Sequence, residues 1–185
     1  MYKRQVNKDG CVRPETSLET MAGLKPAFDK NGVVTAATSS PLTDGAAAVI
    51  VCSEDYAKRN DLEILAFIRG MAISGCSPEV MGIGPVLSSQ KALQRAGIKL
   101  EDIDLVEMNE AFAAQSLACV KELGVDMSKM NIHGGAISMG HPLGASGARI
   151  TGKAASLLKE TGKRYALSTM CVGGGQGCAT VLERA

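Results

Sequence analysis

From Leu62 onward, short apolar runs alternate with segments whose apolar residues recur every three or four positions, the pattern of strands exchanging with helices. Leu62 to Ser74, carrying Ile64, Leu65, Phe67, Ile68 and Ile73, predicts a strand, and Gly75, Pro78, Gly82 and Gly84 then make a loop. Pro85 suits a first helical residue; Val86, Leu87, Ala92, Leu93 and Ala96 follow at helical spacing until Gly97 closes the turn. Ile103 to Met108 predicts a strand entering Asn109, and Ala111 to Leu123 a helix ended by Gly124. Asn131 to His133 reads as a short strand, Ile150, Ala154, Leu157 and Leu158 as one face of a helix, and Tyr165 to Val172 and Ala179 to Leu182 as strands flanking a glycine-rich turn.

The chain before Leu62 is different. Its first forty residues are polar and broken by Gly10, Pro14, Gly23, Pro26 and Gly32. The run GAAAVIVCS after Asp44 suits a strand buried on both faces or a helix leading into one, and Glu54 to Arg59 a short polar helix. The alternation beyond it predicts an α/β layered domain with helices covering a central sheet, without internal repeat or low-complexity linker.

Composition narrows the function classes. With 185 residues the chain can bury a substantial core, which must be aliphatic because aromatic residues make up 3% and tryptophan is absent. Twenty basic and nineteen acidic side chains leave a net charge of +1, so no overall field draws the chain to nucleic acid or an anionic membrane. The six cysteines show no CxxC pair and no clustering with the two histidines, which argues against a metal site; with no secretory leader evident, they read as reduced thiols in a cytoplasmic protein. No apolar run approaches the roughly 20 residues of a membrane span.

Three segments place a polar, reactive residue among glycine or alanine at a strand or loop end: Asn109-Glu110-Ala111-Phe112, Gly140-His141-Pro142-Leu143-Gly144 and Cys171-Val172-Gly173-Gly174-Gly175. Carboxyl ends of strands are where open α/β sheets bind ligands, so all three can face one cleft. An imidazole exchanges protons near pH 7, a thiol exchanges a proton, and an amide holds a water, which suits acyl or enolate chemistry. The glycines beside Cys171 would let backbone N–H groups approach an oxyanion. Plainer roles stay open: Asn109 as an N-cap of the helix near Ala111, Cys171 as a buried structural thiol, His141 as a satisfied loop histidine. GGGQG is no dinucleotide loop, since too little chain follows it for a helix and a ribose-binding acid. Met81, in a glycine-rich loop, can line an acyl pocket. Cys11, Cys52, Cys76, Cys119, Cys178 and His133 read as structural.

In order and spacing, EMNEAFAAQ (Glu107 to Gln115), NIHGGAISMGHPLGASGARI (Asn131 to Ile150) and MCVGGGQGCATVLER (Met170 to Arg184) resemble the C-terminal half of thiolases, most closely bacterial 3-ketoacyl-CoA thiolases, with acetoacetyl-CoA thiolases nearly as similar. RPETSLETMAGLKPAFD, TAATSSPLTDGAAA and GCSPEVMGIGP also look like thiolase segments, so the likeness covers nearly everything after about Asp9. The resemblance implies the thiolase-like layered α/β/α/β/α fold with a mixed five-stranded sheet. It divides the chain into the end of a loop domain (1–40), the last strand and helix of an N-terminal core domain (41–60) and a C-terminal core domain (61–185). Met1 to Gln5 match nothing in the family and read as a foreign leader.

The same resemblance implies an acyltransferase that cleaves 3-ketoacyl-CoA to acetyl-CoA and a shortened acyl-CoA, or runs the Claisen condensation backwards. Coenzyme A enters as a substrate and no cofactor is tightly bound. His141 matches the histidine that activates the nucleophilic cysteine and contributes to one oxyanion site. Cys171 matches the second catalytic cysteine, Asn109 the asparagine that fixes a water, and the Gly173 amide a donor in a second oxyanion site. Ser40 and Phe28 match positions contacting the pantetheine and adenine ends of coenzyme A. His133 stands where relatives often carry another residue. The implied partners are acyl-CoA, CoA and an N-terminal thiolase half, in a homodimer or tetramer, with a fatty-acid oxidation complex as a further candidate.

No segment matches the surroundings of the family's nucleophilic cysteine, and Cys11 and Cys52 lie in the wrong context, so the chain reads as a fragment expected to be inactive alone. A non-catalytic acyl-CoA-binding protein of the same fold is the alternative. A ketoacyl-synthase-type enzyme stands further off, because those rely on histidines where this chain has Cys171.

Overall fold

Helices form where glycine can end them. In the computed structural model, which describes residues 5–185, α1 (Leu18–Ala22) and α2 (Glu54–Arg59) precede β1 (Ala66–Gly75) and α3 (Gly84–Ala96). β2 (Leu105–Met108), α4 (Ala113–Leu123), α5 (Ala136–Met139), α6 (Ser146–Thr161), β3 (Tyr165–Val172) and β4 (Gln176–Arg184) follow. Gly97 and Gly124 stop α3 and α4 at φ of +67° and +78°, a left-handed conformation that only glycine adopts freely. The residues read as a foreign leader, Met1 to Arg4, lie outside the described part, and Gln5 is its first residue.

Among the described residues the sheet has four strands in the order β1-β4-β3-β2. β3 and β4 form an antiparallel hairpin, β1 is antiparallel to β4, and β2 runs parallel to β3 through a crossover that carries α4, α5 and α6. Side chains alternate between the two faces. Leu167 and Val181, paired across the hairpin, join Ala92, Leu93 and Val120 of α3 and α4 on one face. Their neighbours Ala166 and Leu182 join Leu105, Ala154, Leu157 and Leu158 on the other, under α6. Burying aliphatic side chains on both faces at about 25 cal/mol per Å² is the main stabilisation of the domain.

The fifth strand expected from the family likeness is absent from this sheet, and two predicted strands are not formed. Asn131 to His133 is a turn: Met130 makes a single parallel bridge to Val106, after which Asn131 at φ +45° and Gly134 at φ +85° bend the chain away. Residues 45–53 have no regular structure, and Ile50 and Val51 are 81% and 71% exposed. A strand needs a neighbour to take up its N–H and C=O groups, and among the described residues no strand pairs with this run. Met71 and Ile73, on the free edge strand β1, are exposed as well.

Candidate active site

Asn109 leaves the end of β2 still tied to the sheet, its backbone N–H donating to Thr169 O at 2.9 Å. It does not cap the helix that follows. That helix begins after Phe112 with no side-chain cap, and the Asn109 side chain, 1% exposed, turns instead to His141, with Nδ2 3.3 Å from Nε2. The N-cap reading of Asn109 is therefore replaced by a side-chain contact between two segments 32 residues apart. Asn109 Oδ1 is buried and has no protein partner.

His141 is held from every side. Its N–H donates to Pro41 O at 3.0 Å, and Leu42 bridges to it in parallel. Its Nδ1 lies 2.6 Å from Ser146 Oγ, and that hydroxyl donates to Pro142 O at 3.0 Å. With the serine proton committed to a carbonyl, Nδ1 carries the imidazole proton and donates it, leaving Nε2 as the acceptor facing the Asn109 amide. Burial, and then the positive charge of Arg149, hold the His141 pKa below its ordinary 6.5, so the ring is a neutral base at pH 7.

Cys171 is buried at the end of β3, two residues past Thr169 and on the same face of the strand. Burial, and then the nearby Cys119, push its thiol up to about 11, with Cys76 adding to the rise, so it is an S–H at neutral pH. Its Sγ makes no hydrogen bond to Asn109 or His141; Cys171 is joined to Asn109 through Thr169 and the sheet backbone. Gly173 opens the hairpin turn, is exposed, and has nothing within 4 Å of where a Cβ would stand. The GGG run is thus a turn between strands, as its rejection as a dinucleotide loop requires.

The residues matched to coenzyme A contacts lie around this cluster. Ser40 N and Oγ both donate to Ala111 O, at 3.1 and 3.2 Å. Phe28 is 81% exposed, with its ring edge-on to Phe112 at 6.4 Å. Met81 sits half-buried in the 3-10 turn Pro78–Ile83, which the Cys119 thiol anchors by donating to Gly82 O at 3.2 Å. Residues 38–42 tie the two site loops together, since Ala113 N donates to Thr38 O at 2.8 Å while Pro41 and Leu42 hold His141.

Residues 62–184 match the family model of the thiolase C-terminal domain, and residues 2–55 that of the thiolase N-terminal domain. The chain belongs to the thiolase family. The 3-ketoacyl-CoA thiolase of Shewanella loihica is 56% identical over 185 residues, covering 98% of this chain and 48% of that protein. That of Vibrio parahaemolyticus is 54% identical over 184 residues, covering 97% and 47%. The crystal structure of human mitochondrial 3-ketoacyl-CoA thiolase superposes with a TM-score of 0.93 at 49% identity, over 96% of this chain and 45% of that one. The Bacillus anthracis acetyl-CoA acetyltransferase gives 0.94 at 43% identity, over 99% and 48%.

This thiolase chain therefore spans about half the length of the curated relatives it matches. The N-terminal match begins at residue 2, inside the opening stretch for which the sequence offered no family counterpart. Sequence reasoning missed Ser146, Arg149, Cys119 and Cys76 as neighbours of the site. Only Ser146 had a local signal, a hydroxyl at the opening of the helix that follows His141. Cys76 and Cys119, read as structural, lie close enough to Cys171 to raise its pKa. Cys52 is exposed and Cys11 half-buried. His133 is at the surface, with Nδ1 2.8 Å from Lys153 Nζ and Nε2 3.7 Å from Glu160. No helix among the described residues is long and apolar enough to cross a membrane.

Proposed function

We propose that this chain supplies the acid/base half of a thiolase active site, working on 3-ketoacyl-CoA with coenzyme A as co-substrate. The observation that carries the reading is the chain Asn109 Nδ2, His141 Nε2, His141 Nδ1, Ser146 Oγ, Pro142 O, which presents a neutral imidazole with Nε2 unprotonated and able to act as the base. In the cleavage direction a cysteine thiol of the N-terminal half gives its proton to His141 Nε2 and attacks the 3-keto carbon. The bond between carbons 2 and 3 then breaks, its electron pair passing into the enolate of acetyl-CoA. Cys171, protonated at pH 7, gives its S–H proton to that carbon and takes one back from the thiol of coenzyme A as that thiol attacks the acyl group; the first cysteine leaves as a thiolate and recovers its proton from His141.

The Gly173 N–H serves as a preorganised donor in one oxyanion site, and His141 contributes to the other, where Asn109 fixes a water. The unpartnered Asn109 Oδ1 fits a role in holding a water. Ser40, Phe28 and Met81 are the coenzyme A and acyl contacts, a placement supported by their position around the site loops. The division at about residues 40 and 60 is that of a loop domain, the end of one core domain and a second core domain. Exposed Met71 and Ile73 support burial against further chain in a homodimer or tetramer, and we place the enzyme in the cytoplasm, where six unpaired cysteines stay reduced.

The test is acetoacetyl-CoA cleavage by the 185-residue chain alone and by the same chain joined to a thiolase N-terminal half. The expected result is no turnover from the first and turnover from the second that H141A and C171A each abolish. Sustained cleavage by the chain alone, or full activity in C171A, would overturn the assignment. Binding of acyl-CoA with activity unaffected by both substitutions would point to the non-catalytic alternative.

A further inference from the structure

Glu110 adjoins Asn109, yet the two side chains engage different parts of one segment. Asn109 meets His141 itself, while the Glu110 carboxylate meets the stretch leading up to it. Oε1 accepts from Asn131 Nδ2 at 2.7 Å and Oε2 from Ile137 N, in the first turn of α5, at 3.1 Å. Asn131 is itself fixed on the free edge of β2: its Oδ1 accepts from Met108 N and its Nδ2 donates to Met108 O, both at 2.9 Å. A side-chain amide thus stands where a neighbouring strand would. Gly135 lies against the same carboxylate, and a Cβ there would overlap it.

These bonds close a ring. It runs from Asn109 through the chain to Glu110, across to Ile137, along α5 to Gly140 and His141, and back to Asn109 through the side-chain contact. The alternative route between the two loops, through the strap at residues 38–42, holds backbone groups of both loops, with the Ser40 hydroxyl as its side-chain contribution. We infer that Glu110 is a positioning residue, which with Asn131 sets the distance and angle between the His141 imidazole and the Asn109 amide. The inference rests on the catalytic reading above for its consequence in turnover. The geometric claim about His141 stands independently of it.

A misplacement of about 1 Å at a reacting group can cost about 100-fold in rate, so Glu110 should act on kcat more than on KM. The spectroscopic test uses the 15N-labelled 185-residue chain and the ring nitrogens of His141. In the unsubstituted chain one nitrogen is protonated and the other is not, giving well-separated 15N shifts. In E110A the two shifts should move toward each other as the ring loses its fixed partners. E110Q, the same size but able to accept from only one of the two donors, should move them less, and N131A should add little in the E110A background. V181A, which trims a fully buried side chain of β4 in the same core, controls for general loosening. It should lower the melting temperature and leave the ring shifts in place.

Unchanged ring shifts in both E110A and E110Q, or an equal response in V181A, would overturn the inference; should E110A not fold, E110Q against V181A decides. With the chain joined to an N-terminal half, E110A should lower kcat about 100-fold with KM little changed. If H141A leaves that enzyme active, the catalytic reading fails while the ring shifts still decide the role of Glu110.

Discussion

Ser146 Oγ stands 2.6 Å from His141 Nδ1 and donates its hydrogen bond to Pro142 O at 3.0 Å, so the first residue of α6 fixes which imidazole nitrogen is unprotonated. That bond is buried, and removing the hydroxyl leaves Nδ1–H without an acceptor. S146A should cost about 1–2 kcal/mol of stability. In a complete thiolase built on this chain the rate should fall about 10-fold, the kinetic equivalent of about 1.4 kcal/mol. Thermal melts and the ring 15N shifts of His141 check the first claim, and turnover checks the second.

Glu107 lies beneath the same loops, buried on β2 with Oε1 unpartnered. Burial pushes its pKa up to about 7 from the ordinary 4.5, against the pull of Lys153 and Arg149. The folded form therefore holds a proton that the unfolded chain releases first, so stability tied to Glu107 is complete below pH 4.5 and is lost as pH rises through 7. Relative to E107Q, the unsubstituted chain should lose up to about 3 kcal/mol between those limits, at about 1.4 kcal/mol per pH unit. Urea unfolding of both proteins from pH 4.5 to 8 reads the difference, which should stop growing above about pH 7.

Two glycines flanking His141 should answer differently to substitution. Gly140 has φ +95°, and a Cβ there would lie 2.5 Å from Thr43 Cγ2, whereas Gly144 has nothing within 4 Å. G140A should cost about 1–3 kcal/mol from backbone strain alone, and G144A less than about 0.5 kcal/mol. Chemical denaturation of the two variants makes the comparison.

Cys171 and Cys52 should separate in their reactivity toward iodoacetamide. A thiol at about 11 rather than the ordinary 9 holds about 100-fold less thiolate at neutral pH, and Cys171 is buried as well, while Cys52 is exposed. Mass mapping over time should show Cys52 alkylated early and Cys171 last. Early modification of Cys171 in the folded chain would contradict the protonated thiol that the proposed proton transfer needs.

Apart from the turn at Asn131 to His133, the strands and helices predicted after Leu62 were legible because each carries its own period and its own stop: α3 runs from Gly84 to Ala96, capped by Gly97, and β3 from Tyr165 to Val172, close to where the apolar spacing put them. The motifs around Asn109, His141 and Cys171 were legible for a related reason, since glycine and alanine crowd local stretches wherever a reactive group must be reached by ligand or packed against backbone. The run 45–53 was misjudged because its β-branched residues report a preference for extended chain, and pairing depends on a neighbour that local sequence does not contain.

What the sequence alone determined is therefore the inventory: the element types, the ends set by glycine, and the amide, imidazole and thiol at loop ends. Only the tertiary structure decided which of these touch. It turned Asn109 from a helix cap into a partner of His141, gave Nδ1 its acceptor in Ser146, brought Cys119 and Cys76 toward Cys171, and made Glu110 a brace between two loops. The physical reason is that periodicity is written over a few neighbouring residues. A hydrogen bond across 32 positions exists only once the parallel crossover has folded and shut water out from around both partners.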